Sequence, residues 1–260
     1  MHQINWFQAL LVLLPLVITA ILLTAIGSLF LVPSPSEIWE SLLSEEMIFS
    51  LKLTLWTSLV STFFVILLSI PTGYSLSRIN FWGKSVVKAI IDLPIAFPEL
   101  VLGLCLLLLF GNPVVQKALK SLGLDFVFTK QGIIAAQFFT AFPYAVRIIK
   151  STFDYIDPRL EFVSRSLGYT MFETFLKVSV PLAKSGLLAA SIIAFARSIG
   201  TFGTILILAG GSYMQTEILP ITLYLNISYG NMPMAITSGI ILVLVSFVAI
   251  LIFEKTEANI

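Results

Sequence analysis

The sequence predicts an all-α integral membrane protein with six membrane-spanning helices in one domain over residues 1–260. Three observations carry that expectation. Hydrophobic residues make up 58% of the chain and charged residues 11%, less than half the roughly 25% charged content of a soluble domain. The chain contains several apolar runs with few charges, each near the length of about 18 residues that marks a membrane helix. Finally, Lys and Arg are distributed unevenly between the loops that join those runs.

In chain order, the first span covers about 7–32. The preceding "MHQINW" has no Lys or Arg, and the run far exceeds the roughly 7–15 residues of a signal-peptide h-region, so it is read as a retained helix. His2, the only histidine, is expected in a frayed terminus. The second span, about 53–76, ends in "PTGYSLSR", and the third, about 94–111, begins in "DLPIAFPELVLG". The fourth covers about 131–150, the fifth about 184–209 and the sixth about 232–253. At about 1.5 Å per residue each can cross a hydrocarbon core of roughly 30 Å. The third is the shortest, and two prolines blur its start.

The links between spans two and three and between four and five hold nine basic residues, among them Arg78, Lys84, Lys88, Arg147 and Lys150. The opposite loops hold four, and the first of them is acidic (Glu37, Glu40, Glu45, Glu46). The positive-inside rule then puts both termini in the cytoplasm and the protein in the cell membrane.

One cytoplasmic connection is too patterned to be a linker. In "DPRLEFVSRSLG" Asp157 is placed to cap a helix and Pro158 to occupy its first position. Leu160, Val163 and Leu167 recur at helical spacing, and Gly168 can take the left-handed conformation that closes the helix. Thr170 and Glu173 then form a T-x-x-E capping box. The second helix is expected to carry Phe172, Phe175, Leu176 and Ser179 on one face, with Pro181 at its end or at the start of the next span. Such a pair can lie on the bilayer surface, or it can dock a cytoplasmic partner through Phe172 or Phe175.

Several function classes are excluded. A net charge of +1 gives no bulk attraction to nucleic acid. Cys105 is the only cysteine, so no internal disulfide forms, and its setting in "GLCLLLLF" reads as a buried, inert thiol. One His and one Cys rule out His- or thiolate-based metal sites and Cys/His catalytic pairs, so no metal or cofactor is expected on this chain. "GKS" at 83–85 matches part of a nucleotide-binding loop, but Arg78 stands where the first glycine belongs. Asp92 reads as an isolated acid at a membrane edge, which argues against intramembrane proteolysis. A channel or secondary transporter would not require the 157–181 helix pair, and no repeated halves or clustered intramembrane charges are evident.

"VSRSLGYTMFETFLKVSVPLA" resembles the cytoplasmic coupling loop of binding-protein-dependent ABC importer permeases. That pattern reads Glu-Ala-Ala, three residues, Gly, nine residues, Ile-x-Leu-Pro. Gly168 and, after nine intervening residues, Val178-Ser179-Val180-Pro181 keep the spacing. Phe162, Val163 and Ser164 occupy the Glu-Ala-Ala part, with Glu161 one place earlier. The resemblance implies a type I ABC importer transmembrane domain whose helix pair, residues 157–181, fits a groove on a separate ATPase. Glu161, Ser164, Gly168, Thr170, Phe172, Glu173, Phe175 and Pro181 would be the coupling residues.

Three further stretches are similar to the molybdate/tungstate branch of that superfamily. They are "PTGYSLSR" (71–78), "LPIAFPELVLG" (93–103), and "FARSIGTFGTILILAGG" followed by "LPITLY". Two positions depart from the branch motifs: Glu99 replaces a proline and Thr201 replaces a glutamate. The resemblance implies a homodimer working by alternating access, with ATP and Mg on two cytoplasmic ATPase subunits and an extracytoplasmic oxyanion-binding protein delivering molybdate or tungstate. Sulfate or another small oxyanion is the alternative cargo.

The pathway or gate candidates are Arg197, Ser198, Gly200, Thr201, Phe202, Gly203 and Glu99. An ionised Arg197 at membrane depth costs a few kcal/mol unless it faces protein or water, so it either lines a pathway or pairs with Glu99. Gly200, Phe202 and Gly203 either loosen the helix to expose backbone N–H groups or form a packing kink. Gly186, Ala190, Ala194 and Ser198 form a small-residue face at steps of four. That face packs within the subunit, beside a pathway or at a two-fold interface.

Overall fold

A computed structural model describes residues 6–257, which form helices and connecting loops. The frayed terminus expected at His2 lies outside the described residues. Helix α1 (Trp6–Ser28) is apolar along its length, and Leu10–Ser28 buries nothing against the rest of the chain. Lipid is the solvent for such a helix. Helix α2 (Pro35–Leu43) is short and starts in a capping box between Ser34 and Glu37. Helix α3 (Glu45–Arg78) runs 34 residues, about 51 Å at 1.5 Å per residue, and so extends past both ends of the second expected span.

Helices α4 (Lys84–Ala96) and α5 (Glu99–Phe110) meet at a bend of 118°. The third span was expected to begin near residue 94, yet Pro94 lies inside α4 and the helix breaks at Phe97. Phe97 is extended (φ −114°, ψ 160°) because the ring of Pro98 disfavours helical backbone in the residue before it. Helix α6 (Pro113–Ser121) is capped by Asn112, and α7 (Lys130–Tyr155) is capped by Thr129. Next come α8 (Pro158–Ser166), α9 (Met171–Thr174), a π-helical turn (Phe175–Ser179) and α10 (Val180–Leu182). Helix α11 (Lys184–Gly200) ends nine residues before the expected limit of the fifth span, and the chain restarts as α12 (Gly203–Leu208). Helices α13 (Leu219–Tyr229) and α14 (Met232–Glu257) complete the order. Among the described residues four helices are long and apolar enough to cross a membrane, and up to six spans result if each of two bent pairs counts as one.

The framework is α3, α7 and α11. Helices α3 and α7 run parallel, joined by a polar seam in which Gln137 Nε2 donates to Thr57 Oγ1 (3.3 Å) and Ser58 Oγ (3.1 Å). Interhelical hydrogen bonds matter here because lipid gives helices no hydrophobic reason to associate. Helix α11 runs back along α7. Its Ala190, Ala194 and Ser198 are fully buried, and a β-carbon on Gly186 would collide with Thr152 of α7. The small-residue face therefore serves packing inside this chain. Cys105 is exposed, in contrast to the buried thiol expected from its apolar neighbours. The outer surface of a membrane helix is as apolar as a protein core, so sequence context does not tell one from the other.

At the end opposite α8, α13 lies antiparallel along the start of α3. Leu219 N–H donates to Thr54 Oγ1 (2.9 Å), Thr222 Oγ1 to Ser50 Oγ (2.7 Å) and Asn226 Nδ2 to Glu46 Oε1 (2.8 Å). The loop before α13 buries Glu217 to 2% exposure and leaves its Oε2 without a hydrogen bond. Burial, and then the charge of Glu46, push the Glu217 carboxyl up to about 7. Such an acid keeps its proton in the folded state after the unfolded chain has released it. The stability it contributes is present below about pH 4.5 and is lost as pH rises through 7. Glu217→Gln is expected to flatten the pH dependence of the melting temperature between pH 5 and 8 and to raise stability at pH 8 by roughly 1–3 kcal/mol. Differential scanning fluorimetry of the detergent-solubilised protein checks this; an unchanged slope would assign the pH dependence to other groups.

Candidate functional site

Two arrangements stand out, one at the α8 end and one where α5 meets α12. At the first, Asp157 caps α8 by accepting from Arg159 N–H (2.9 Å) with Pro158 behind it. Gly168 closes the helix with φ +96°, a conformation that a β-carbon disfavours. Thr170 and Glu173 form the reciprocal capping box that starts α9. The hydrogen bond from Thr170 N–H to Glu173 holds that carboxyl below its ordinary range.

The pair is fastened to itself and to the membrane helices. Ser164 and Thr174 share a buried hydrogen bond of 3.0 Å that ties α8 to α9. Glu161 accepts from Arg78 Nε at 2.9 Å and from the Tyr74 hydroxyl at 3.0 Å, both on α3. The two charged side chains are each 12% exposed. Arg78 also donates to the Ile156 carbonyl at 2.6 Å, so one guanidinium holds both the turn before α8 and the first turn of α8.

The single face expected for Phe172, Phe175, Leu176 and Ser179 does not form. The π-helical turn over Phe175–Ser179 changes the angular step between residues, so the two ends face differently. Phe172 points outward at 69% exposure, while Phe175 packs on Tyr74 with ring centroids 4.7 Å apart and Ser179 is buried. The outward surface includes Phe172 and Leu176 together with Phe162 and Val163 of α8 and Leu167 at its C-cap. Pro181 sits within α10 at the turn into α11.

At the second arrangement, Glu99 opens α5 and reaches across to the start of α12. Its Oε2 accepts from the N–H groups of Phe202 and Gly203, both at 3.1 Å, and its Oε1 lies 3.5 Å from Arg197 Nη2. The Arg197 guanidinium stacks over Tyr144 of α7 at 4.6 Å. The carboxylate thus satisfies backbone donors freed by the helix break while balancing a cation. Thr201, where the branch motif has glutamate, turns its hydroxyl to its own helix (Arg197 carbonyl, 2.7 Å). The two departures from the motif therefore meet in space: an acid is missing at 201 and present at 99.

Arg197, Glu99, Phe202 and Gly203 come together, whereas Ser198 is fully buried and its hydroxyl has no hydrogen-bond partner. Gly200 is exposed, with nothing within 4 Å of where a β-carbon would stand. Asp92 is not isolated: its Oδ2 lies 3.7 Å from Arg147 Nη2. Sequence reasoning also missed Tyr74 and Tyr144, whose roles depend on contacts with distant helices. Among the described residues no group of three or more His, Cys, Asp or Glu could hold a metal ion.

Comparison with known proteins gives the arrangement its context. Residues 66–258 match the family described as binding-protein-dependent transport system inner membrane component. The chain is 33% identical over 226 residues to the molybdate/tungstate transport system permease protein WtpB of Methanocaldococcus jannaschii, covering 86% of this chain and 87% of that one. It is 28% identical over 220 residues to the sulfate transport system permease protein CysT of Escherichia coli, covering 84% and 79%. Among solved structures, a bacterial ABC transporter involved in alginate import superposes with a TM-score of 0.76 at 19% identity, covering 98% of this chain and 96% of that one. That likeness establishes the type I importer fold, and the relatives named here are transport permeases rather than enzymes. The chain belongs to the binding-protein-dependent transport system inner membrane components, the permeases of ABC importers, with molybdate/tungstate permeases among its relatives.

Proposed function

We propose that this chain is the membrane subunit of an ATP-driven importer for molybdate or tungstate, working as a homodimer by alternating access. The observation that carries the reading is the α8–α9 pair: apolar and exposed on its outer side, and bonded on its inner side to α3 through Glu161, Arg78 and Tyr74. Such an element transmits force. Each of two cytoplasmic ATPase subunits, which carry ATP and Mg, would grip one pair. Nucleotide-driven closure would then turn α3 and α11, and an extracytoplasmic binding protein would deliver the anion. Both termini would face the cytoplasm. The sulfate permease relative supports sulfate as the alternative cargo.

Purification of the tagged chain from its native membrane in mild detergent tests the assembly. One ATPase per copy of this chain is expected, and a stable complex without ATPase, reproduced across detergents, would overturn the reading. In the same reading Arg197 and Glu99 stand at the pathway. Arg197→Ala is expected to change the uptake rate by roughly tenfold, the equivalent of about 1.4 kcal/mol, with the ATPase still co-purifying at the same ratio. Unchanged uptake kinetics would reduce Arg197 to packing.

A further inference from the structure

Three cation–carboxylate pairs descend α7 from the break between α11 and α12 toward the α8 end. Arg197 meets Glu99 at 3.5 Å and stacks on Tyr144. Arg147, one turn beyond Tyr144 on α7, meets Asp92 of α4 at 3.7 Å. Lys150, three residues further along, is bonded to Asp154. Lys88 of α4 joins Asp92, Arg147, Lys150 and Asp154 around a cleft of about 160 Å³ between α3, α4 and α7. From Tyr144 to Asp154 the series covers about 15 Å at 1.5 Å per residue.

We propose that this cleft is the exit stage for the imported oxyanion: a tetrahedral oxyanion leaving Arg197 passes to Arg147 and then to Lys150 and Lys88, displacing Asp92 and Asp154 in turn. The proposal rests on the oxyanion-import reading and adds the residues that carry the cargo out. Three features support it. First, the cleft lining holds three cations against two carboxylates, so it keeps a positive excess when each carboxylate is paired. Second, Lys88 has no ion-pair partner among the described residues. Third, the pairs at Arg197 and Arg147 are long, and the Arg147 side chain is 64% exposed.

Exposed pairs of that length are weak and exchange readily. A resident carboxylate occupies each arginine in the empty state and offers the same oxygen-donor geometry as the cargo. The guanidinium fork suits either one, since it binds planar and tetrahedral oxyanions through paired N–H donors. Exchange between such sites moves an anion without trapping it. A deep cationic well with no internal carboxylates would bind the dianion tightly and release it slowly.

A phospholipid phosphate shares this chemistry, so the test must separate the two sources. The complete complex, with its ATPase and binding protein, is reconstituted into phosphatidylcholine vesicles with and without added phosphatidylglycerol. ATP-driven molybdate uptake is then measured per assembled complex. Arg147→Gln and Lys88→Gln are each expected to slow uptake at least fivefold in both vesicle types, and Arg147→Lys to recover most of the rate. Uptake by either Gln variant within twofold of the unaltered complex would overturn the proposal. So would a loss confined to vesicles containing phosphatidylglycerol, which would assign the cleft to lipid. Failure of the unaltered complex to take up molybdate, tungstate or sulfate would instead overturn the import reading on which the proposal stands.

Discussion

Replacing Gly168 with tryptophan is expected to leave the chain inserted in the membrane and to abolish productive coupling to the ATPase. Gly168 sits at φ +96°, where any residue with a β-carbon is strained by roughly 1–2 kcal/mol. Within the chain nothing lies within 4 Å of where that β-carbon would stand, so an indole there meets no neighbour of its own subunit. It projects beside Leu167 and Tyr169, into the space that an ATPase would enter in the proposed assembly. Loss of one well-packed contact of about 2 kcal/mol corresponds to roughly 30-fold weaker docking, and uptake should fall at least that far. ATP hydrolysis, measured on the reconstituted complex, should lose its stimulation by loaded binding protein. Normal substrate-stimulated hydrolysis would remove the helix pair from the coupling path. Gly168→Ala separates strain from bulk: it carries the strain alone and should retain most of the coupling.

Glu161→Ala should have the largest effect on stability. It takes the counter-ion from Arg78, which is 12% exposed in the ion pair and keeps only the neutral acceptors Ile156 and Ser77, and takes the acceptor from the Tyr74 hydroxyl. Breaking a buried pair from one side costs about 3–5 kcal/mol, because the remaining charge stays desolvated. For a chain of this size that is a fall in melting temperature of roughly 6–20 °C. Replacing the pair together, with Glu161→Leu and Arg78→Met, should recover most of the melting temperature, since apolar residues remove the stranded charge. It should not recover transport, because the polar link from α8 to α3 is still missing. Equal melting temperatures for the single and double variants would show that the pair is not what holds α8 to the membrane helices.

Local chemistry made the helix pair readable in advance. Asp157, Pro158, Gly168, Thr170 and Glu173 act on backbone groups within a few residues of themselves, and each lies in the structure as its spacing implied. The four unbroken spans were legible for the same reason, since hydropathy is a property of consecutive residues, whereas the breaks in the third and fifth were not. What could not be read depended on distance. Arg78 and Glu161 are 83 residues apart, and Glu99 reaches backbone donors more than 100 residues away. The burial of Phe175 follows from a π-helical turn whose register a 3.6-residue pattern does not carry. Cys105 was misplaced because lipid-facing and protein-facing surfaces share one composition. The acid at 99 and its loss at 201 looked like two unrelated departures until the fold brought them together.

The most direct test of the account is ATP-driven oxyanion uptake by the assembled complex in proteoliposomes, with binding protein outside and ATP inside. Molybdate or tungstate accumulation that requires both, with each anion competing against the other, is the predicted result. Steady ATP hydrolysis with no oxyanion accumulated, or accumulation that proceeds without ATP, would contradict it.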